Sequence, residues 1–157
     1  MKMFLQTVVL AVIIVVAVIY LFFTTERLLS PTTLQSQNNR VCFGDNCFSV
    51  ELAKSMAETE RGLMGRRELG KSNGMFFIFS KEGVYPFWMR NTLIPLDIIW
   101  IDSGKKIVFI SENAEPCKSL ICSSINPGVT AKYVLEVNSG VVKELQLKIG
   151  DFADLKF

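Results

Sequence analysis

The 157-residue chain contains no histidine. That absence excludes Ser-His-Asp and Cys-His nucleophile systems, and with them zinc and iron sites held by imidazole. Any catalysis must run on carboxylates, Lys, Tyr, Cys or Ser. Excess charge of one sign is also lacking: 17 Lys and Arg face 15 Asp and Glu. There is no basic run, and Arg66-Arg67 is followed at once by Glu68. Nucleic-acid binding is therefore not expected. Internal repeats and low-complexity tracts are missing. Asp45, Asp102 and Asp151 have no EF-hand-like run around them, so no metal site is expected. No motif calls for a cofactor. Ser103-Gly104-Lys105-Lys106 has the Ser-x-x-Lys form of penicillin-binding proteins, but it is an Asp-Ser-Gly turn without companion motifs.

Charge is wholly absent from residues 3–23, MFLQTVVLAVIIVVAVIYLFF. About 20 apolar residues at 1.5 Å rise span roughly 30 Å of hydrocarbon. The run is apolar all round, unlike an amphipathic surface helix. A cleaved signal peptide would have a shorter apolar region, roughly 7–15 residues, ending in small residues. Here the run ends in Tyr20, Leu21, Phe22 and Phe23. The sequence thus predicts an uncleaved signal-anchor, residues 1–27, as a single transmembrane helix. Lys2 and the α-amino group precede it, while Glu26 and Arg27 cancel. The positive-inside rule then puts the N-terminus in the cytoplasm and the rest outside. Segment 28–40 is rich in Ser, Thr, Gln and Asn and reads as a flexible linker. Residues 41–157 form one extracytoplasmic domain.

The four cysteines form two pairs of equal spacing, Cys42-x4-Cys47 and Cys117-x4-Cys122. An exported domain lies where disulfides persist. Gly44-Asp45-Asn46 reads as a hairpin turn that sets Cys42 opposite Cys47. The second pair sits in a loop with Pro at each end. Two local bridges are expected, with cross-pairing the next alternative. A four-thiolate zinc site or a redox pair would favour the tighter CxxC spacing.

Along the domain, Ser49–Leu52 reads as a strand, and Ser55-x-x-Glu58 fits a capping box opening a short helix. Gly62 weakens that helix and Gly70 is a plausible stop. Gly74–Phe79 is a buried strand. Residues 96–111 form a hairpin about Asp102-Ser103-Gly104-Lys105. Ala131–Val137 is a strand with Lys132, Val134 and Glu136 on one face. VVKELQL is a short helix or strand, and 152–157 a last strand. The expected fold is mainly β with one or two short α-helices, a compact antiparallel β-barrel-like or sandwich domain behind the transmembrane helix.

Several strings resemble a known family. They are Ala57-x-Thr59-x-Arg61-Gly62-Leu63-Met64-x-Arg66, Gly74-Met75-x-Phe77-x-Phe79, and Phe87-Trp88-Met89-Arg90-Asn91-Thr92-x-Ile94-Pro95-Leu96-Asp97-Ile98. Ala114-x-Pro116-Cys117, Ala131-x-Tyr133-Val134-Leu135-Glu136 and Gly150-Asp151 add to them. Together they resemble domain-of-unknown-function family 192, small, mostly prokaryotic proteins, often exported or membrane-anchored. The likeness covers roughly 48–157. The family typically has Lys where this chain has Arg90, and the first Cys pair lies outside the usual family core. The resemblance implies a compact β-rich fold and no reaction, because the family has no established activity.

Site candidates come from the residues themselves. Trp88 and Arg90 share a strand face and form a stacked cation–π pair, or a platform for a sugar ring or anionic ligand. Asp97 is the lone charge in IPLDIIWI and needs donors or a cation if buried. Arg61 or Arg90 is the expected partner. Glu60 suits the start of the helix. Arg61, Arg66 and Arg90 converge on an anion in one reading, with Glu136 completing an ion-pair network. The binding candidates are thus Arg61, Trp88, Arg90, Asp97 and Glu60. Three function classes follow. The first is a non-catalytic ligand-binding or protein-interaction module of the envelope. Its partner would be a glycan, an anionic small molecule or a protein. The second is a hydrolase or lyase acting on an envelope glycan through Glu60 or Asp97. The third is a structural assembly domain. A polar cleft separates the first two from the third.

Overall fold

The computed structural model describes residues 13–20, 39–119 and 121–157. Residues 13–20 are helical and exposed. The rest of the predicted span 3–23, and residues 28–38 of the predicted linker, lie outside the described residues. Among the described residues no helix is long and apolar enough to cross a membrane.

The β-rich part runs β1 (Arg40–Phe43), β2 (Asn46–Ala53), α1 (Met56–Arg61), β3 (Asn73–Gly83), β4 (Phe87–Trp88), β5 (Leu96–Ile101), β6 (Ile107–Ala114), β7 (Ser124–Ile125), β8 (Ala131–Asn138), α2 (Val141–Leu145) and β9 (Asp154–Lys156). Seven strands make one sheet in the order β6-β5-β8-β3-β2-β1-β9, and β4 pairs with β7 in a small second sheet. Every strand pair is antiparallel except β2–β3. That parallel pair follows from the connection: residues 54–72 are long enough to carry the chain back over one face of the sheet, where Leu63 packs. The large sheet curls into a half-barrel until its two edges touch at one end. There Lys106 bridges Phe152, Ile107 N–H donates to Asp151 O at 2.8 Å, and Ala153 N–H donates to Lys105 O at 2.9 Å.

Period-two alternation on the central strands serves two cores. Val41, Phe76, Ile99, Ile101, Leu135 and Val137 fill the concave side with α2. Phe77, Ile98, Trp100 and Val134 pack on the other, beneath Leu63 and Met89. Strand β5 is buried at all six positions, which explains its near-continuous apolar sequence. Gly74 is needed where β3 meets β8, since a Cβ there would lie 2.7 Å from the Glu136 carbonyl.

Both expected disulfides are present. Cys42 faces Cys47 across the β1–β2 hairpin, and Cys117 joins Cys122. The capping box is also present: Glu58 N–H donates to Ser55 Oγ, and the Glu58 carboxylate accepts from Ser55 N–H. The helix stops at Gly62 rather than Gly70. Gly62 adopts φ 45° and ψ −136°, a conformation a side-chain-bearing residue rarely takes.

Candidate functional site

The early stop of α1 shapes the site. The end of α1 and its exit turn, Thr59 to Met64, form one wall of a pocket of about 350 Å³. Phe77 and Phe79 of β3 and Glu136 of β8 lie below, and Tyr85, Pro86, Phe87, Trp88, Thr92 and Ser124 complete it. Five aromatic rings line this space, and four of them hold one another in pairs. Phe79 stacks on Tyr85 with centroids 3.6 Å apart, and Phe77 meets Phe87 edge-on at 4.9 Å. Phe87 in turn packs edge-on against buried Trp100 at 5.5 Å. Trp100 Nε1–H donates to Tyr85 O at 2.8 Å, which fastens the 85–88 segment to the core.

The outer wall is tied down from the other side. Trp88 pairs with Ser124 and Phe87 with Ile125 in the β4–β7 ladder. Cys117 N–H donates to Met89 O at 3.1 Å, and Arg90 bridges Cys117. The Cys117–Cys122 disulfide thus closes the loop that holds Trp88 at the pocket's mouth.

Glu136 is the exceptional group. It is only 5% exposed, and its Oε2 has no hydrogen-bond partner among the described residues. Burial pushes its carboxyl up to about 8, because an ionised carboxylate away from water and without a donor is costly. The acid is therefore mostly protonated at neutral pH. Gly62 allows the exit turn to pass close over it: a Cβ at Gly62 would sit 3.8 Å from Glu136 Oε2 and 3.5 Å from the Phe77 ring.

The sequence-predicted residues divide. Glu60, Arg61 and Trp88 border the pocket, with Trp88 44% exposed. Arg90 lies over the Trp88 ring at 6.0 Å, the expected cation–π pair, outside the lining itself. Trp88 and Arg90 are both exposed, as a shared strand face requires, and the chain leaves extended geometry at Asn91, φ 55°, with Thr92 buried. Asp97 is corrected: it pairs with neither Arg61 nor Arg90. It points to the concave side and accepts Asn113 N–H and Val142 N–H, each at 2.8 Å. Those two donors satisfy its charge and pin the first turn of α2 to β5. Glu136 completes no ion-pair network. Arg61, Arg66 and Arg90 do not meet as a trio: Arg61 and Arg66 border a common hollow, where Arg66 is paired with Glu51, and Arg90 lies outside it over Trp88. Phe79, Tyr85, Phe87, Thr92 and Ser124 were not foreseen as site residues. A visible signal existed for Glu136, a carboxylate beside Val134 in the apolar stretch Val134–Val137.

Comparison with known proteins adds the family. The model of DUF192, described as "Uncharacterized ACR, COG1430", matches residues 39–155. No curated protein matches the chain. Similar solved structures include the following two. One is a protein of unknown function from Novosphingobium aromaticivorans DSM 12444, 36% identical, covering 74% of this chain and 83% of that one, with a TM-score of 0.67. The other, from Sinorhizobium meliloti 1021, carries the provisional description of a transcription regulator. It is 34% identical over 79% of this chain and 98% of its own, with a TM-score of 0.69. A single match spanning both disulfide-bearing segments and every wall of the pocket places the chain in the DUF192 family.

Proposed function

We propose that the chain is a membrane-tethered ligand-binding module of the cell envelope, its ligand seated between α1 and the Tyr85–Trp88 segment. One observation carries this reading: a largely aromatic pocket with an unpaired, buried Glu136 at its base. Ligand sites are typically apolar concavities with a few placed polar groups. A purely structural domain gains nothing by burying an acid without a partner, which costs stability. The exposed Trp88 ring suits the body of a glycan or other ring compound, and Arg61 at the rim suits an anionic or hydroxyl substituent. The extracytoplasmic setting rests on the charge-free run 3–23 and on two disulfides, which persist in oxidising compartments. The description of the Sinorhizobium protein is not carried over, because this chain has no basic run to engage nucleic acid. Replacing Ser124, an exposed lining residue, by Trp fills the pocket from outside. Native mass spectrometry of full-length protein extracted from its membranes should then show a small molecule on the wild type and none on Ser124→Trp. Equal occupancy of both would refute the site.

A second reading has a specific observation behind it. Glu136 and Glu60 line one pocket, and a carboxyl protonated at neutral pH is what a general acid requires. A glycan hydrolase or lyase would use these two. Asp97 has no part in it, being committed to backbone donors on the other side of the sheet. Release of soluble fragments from envelope glycan, abolished by Glu136→Gln, would favour catalysis over binding.

A further inference from the structure

We infer that the base of the pocket is a site for an organic ammonium group, held by the Glu136 carboxylate and the aromatic rings beside it. This rests on the ligand-binding reading and names the ligand's chemistry. Glu136 Oε2 is buried, unpartnered and on the pocket lining. Once ionised, the carboxylate needs a cation or a donor beside it. Neighbouring side chains do not supply one: Tyr85 Oη–H is spent on Lys81 O at 2.7 Å, and Lys132 reaches Ser80 O at 2.7 Å instead. The rings of Phe79, Tyr85, Phe87 and Trp88 fit a cation better than a neutral donor, since aromatic faces carry negative potential.

The charged groups facing Glu136 come from few elements. On β8, Lys132 is turned to Ser80. Register partners Met75 on β3 and Ile98 on β5 carry no charge. On α1, Glu60 and Arg61 share the pocket but are exposed. Water and salt screen the Arg61 guanidinium, whereas the buried acid acts through a low-dielectric wall. A cation at the base therefore gains more from Glu136 than it loses to Arg61.

Binding a permanent cation requires Glu136 to lose its proton, so affinity depends on pH. The test uses the full chain and two probes: benzyltrimethylammonium, whose charge does not change with pH, and benzyl alcohol, which is neutral. Binding is followed through the Gly62 amide and Trp88 indole resonances. The expected result is an apparent affinity for the cation that rises about tenfold for each pH unit between pH 5.5 and 7.5, then levels. Calorimetry in buffers of different ionisation enthalpy should count about one proton released. Glu136→Gln should lose the pH dependence and at least tenfold in affinity. If benzyl alcohol binds at the pocket as tightly as the cation, or the cation's affinity is flat in pH, the ammonium assignment is overturned while the ligand pocket stands. If neither probe perturbs Gly62 or Trp88, both fall. The wild-type pH profile decides the matter even if Glu136→Gln does not fold.

Discussion

Glu136→Gln should make the protein more stable at alkaline pH, the opposite of what removing one member of a buried ion pair does. In the folded state burial moves the carboxyl from 4.5 to about 8, so the fold favours the protonated form. The associated stability is fully present below the unfolded value, near pH 4.5, and is lost as pH rises through about 8. At about 1.4 kcal/mol per pH unit, the whole interval amounts to about 5 kcal/mol, a large part of the 5–15 kcal/mol typical of a domain. Gln keeps the size and shape and does not titrate. Near pH 5 the two proteins should differ by no more than about 1 kcal/mol. By pH 9 the variant should be the more stable by several kcal/mol. Urea unfolding of the full chain in detergent, read by tryptophan fluorescence, measures this directly, since Trp88 and Trp100 are the chain's two tryptophans. Stability curves that run parallel from pH 5 to 9 would refute the buried, unpaired acid.

Three further substitutions separate site from scaffold. Asp97→Ala removes the acceptor of two backbone N–H bonds, one of them buried; a loss of about 3–5 kcal/mol is expected in urea unfolding, with Asp97→Asn losing less because one acceptor remains. Trp88→Ala, at an exposed ring, should leave stability within about 1 kcal/mol and reduce ligand retention in native mass spectrometry; a collapse of the fold would make Trp88 a packing residue. The double change Cys117→Ser with Cys122→Ser should cost roughly 2 kcal/mol and weaken ligand binding, because β7 is then less firmly held over Trp88. The matching Cys42→Ser, Cys47→Ser pair should cost a similar amount and leave binding unchanged, since that hairpin lies outside the pocket lining.

Local signals carried much of the fold. The equal Cys spacing, the Gly44-Asp45-Asn46 turn, the Ser55–Glu58 capping box, the 96–111 hairpin and the alternation of Ala131–Val137 each depend on neighbours within one turn or one strand. What sequence reasoning missed is set at longer range. The parallel β2–β3 pair depends on where the 54–72 connection returns the chain, and the meeting of Lys106 with Phe152 on how far the sheet curls. Asp97 drew attention as a lone acid among apolar residues, and the need for donors was correctly read. Its donors are backbone N–H groups, Asn113 16 residues away and Val142 45 residues away in sequence, and nothing in composition marks a backbone donor as Arg's rival. For the site, Trp88 and Arg61 stood out by residue type. Glu136 looked like the partner of an arginine, because ion pairing is the usual fate of a buried acid. Its isolation becomes visible only when the exit turn of α1 is seen to close over it. The aromatic lining was hidden for the opposite reason: Phe77, Phe79 and Phe87 read as ordinary core, and nothing in the chain distinguishes a ring facing packed neighbours from one facing a cavity.

The most direct test of the account is a fragment screen of the full chain by two-dimensional NMR, using a small, chemically diverse set. Chemical-shift changes are predicted to converge on Gly62, Phe79, Phe87, Trp88, Ser124 and Glu136, the lining of the aromatic pocket. Changes concentrated instead on the polar hollow around Arg40, Asp45, Lys71 and Glu144, with Glu136 and Trp88 silent, would contradict it.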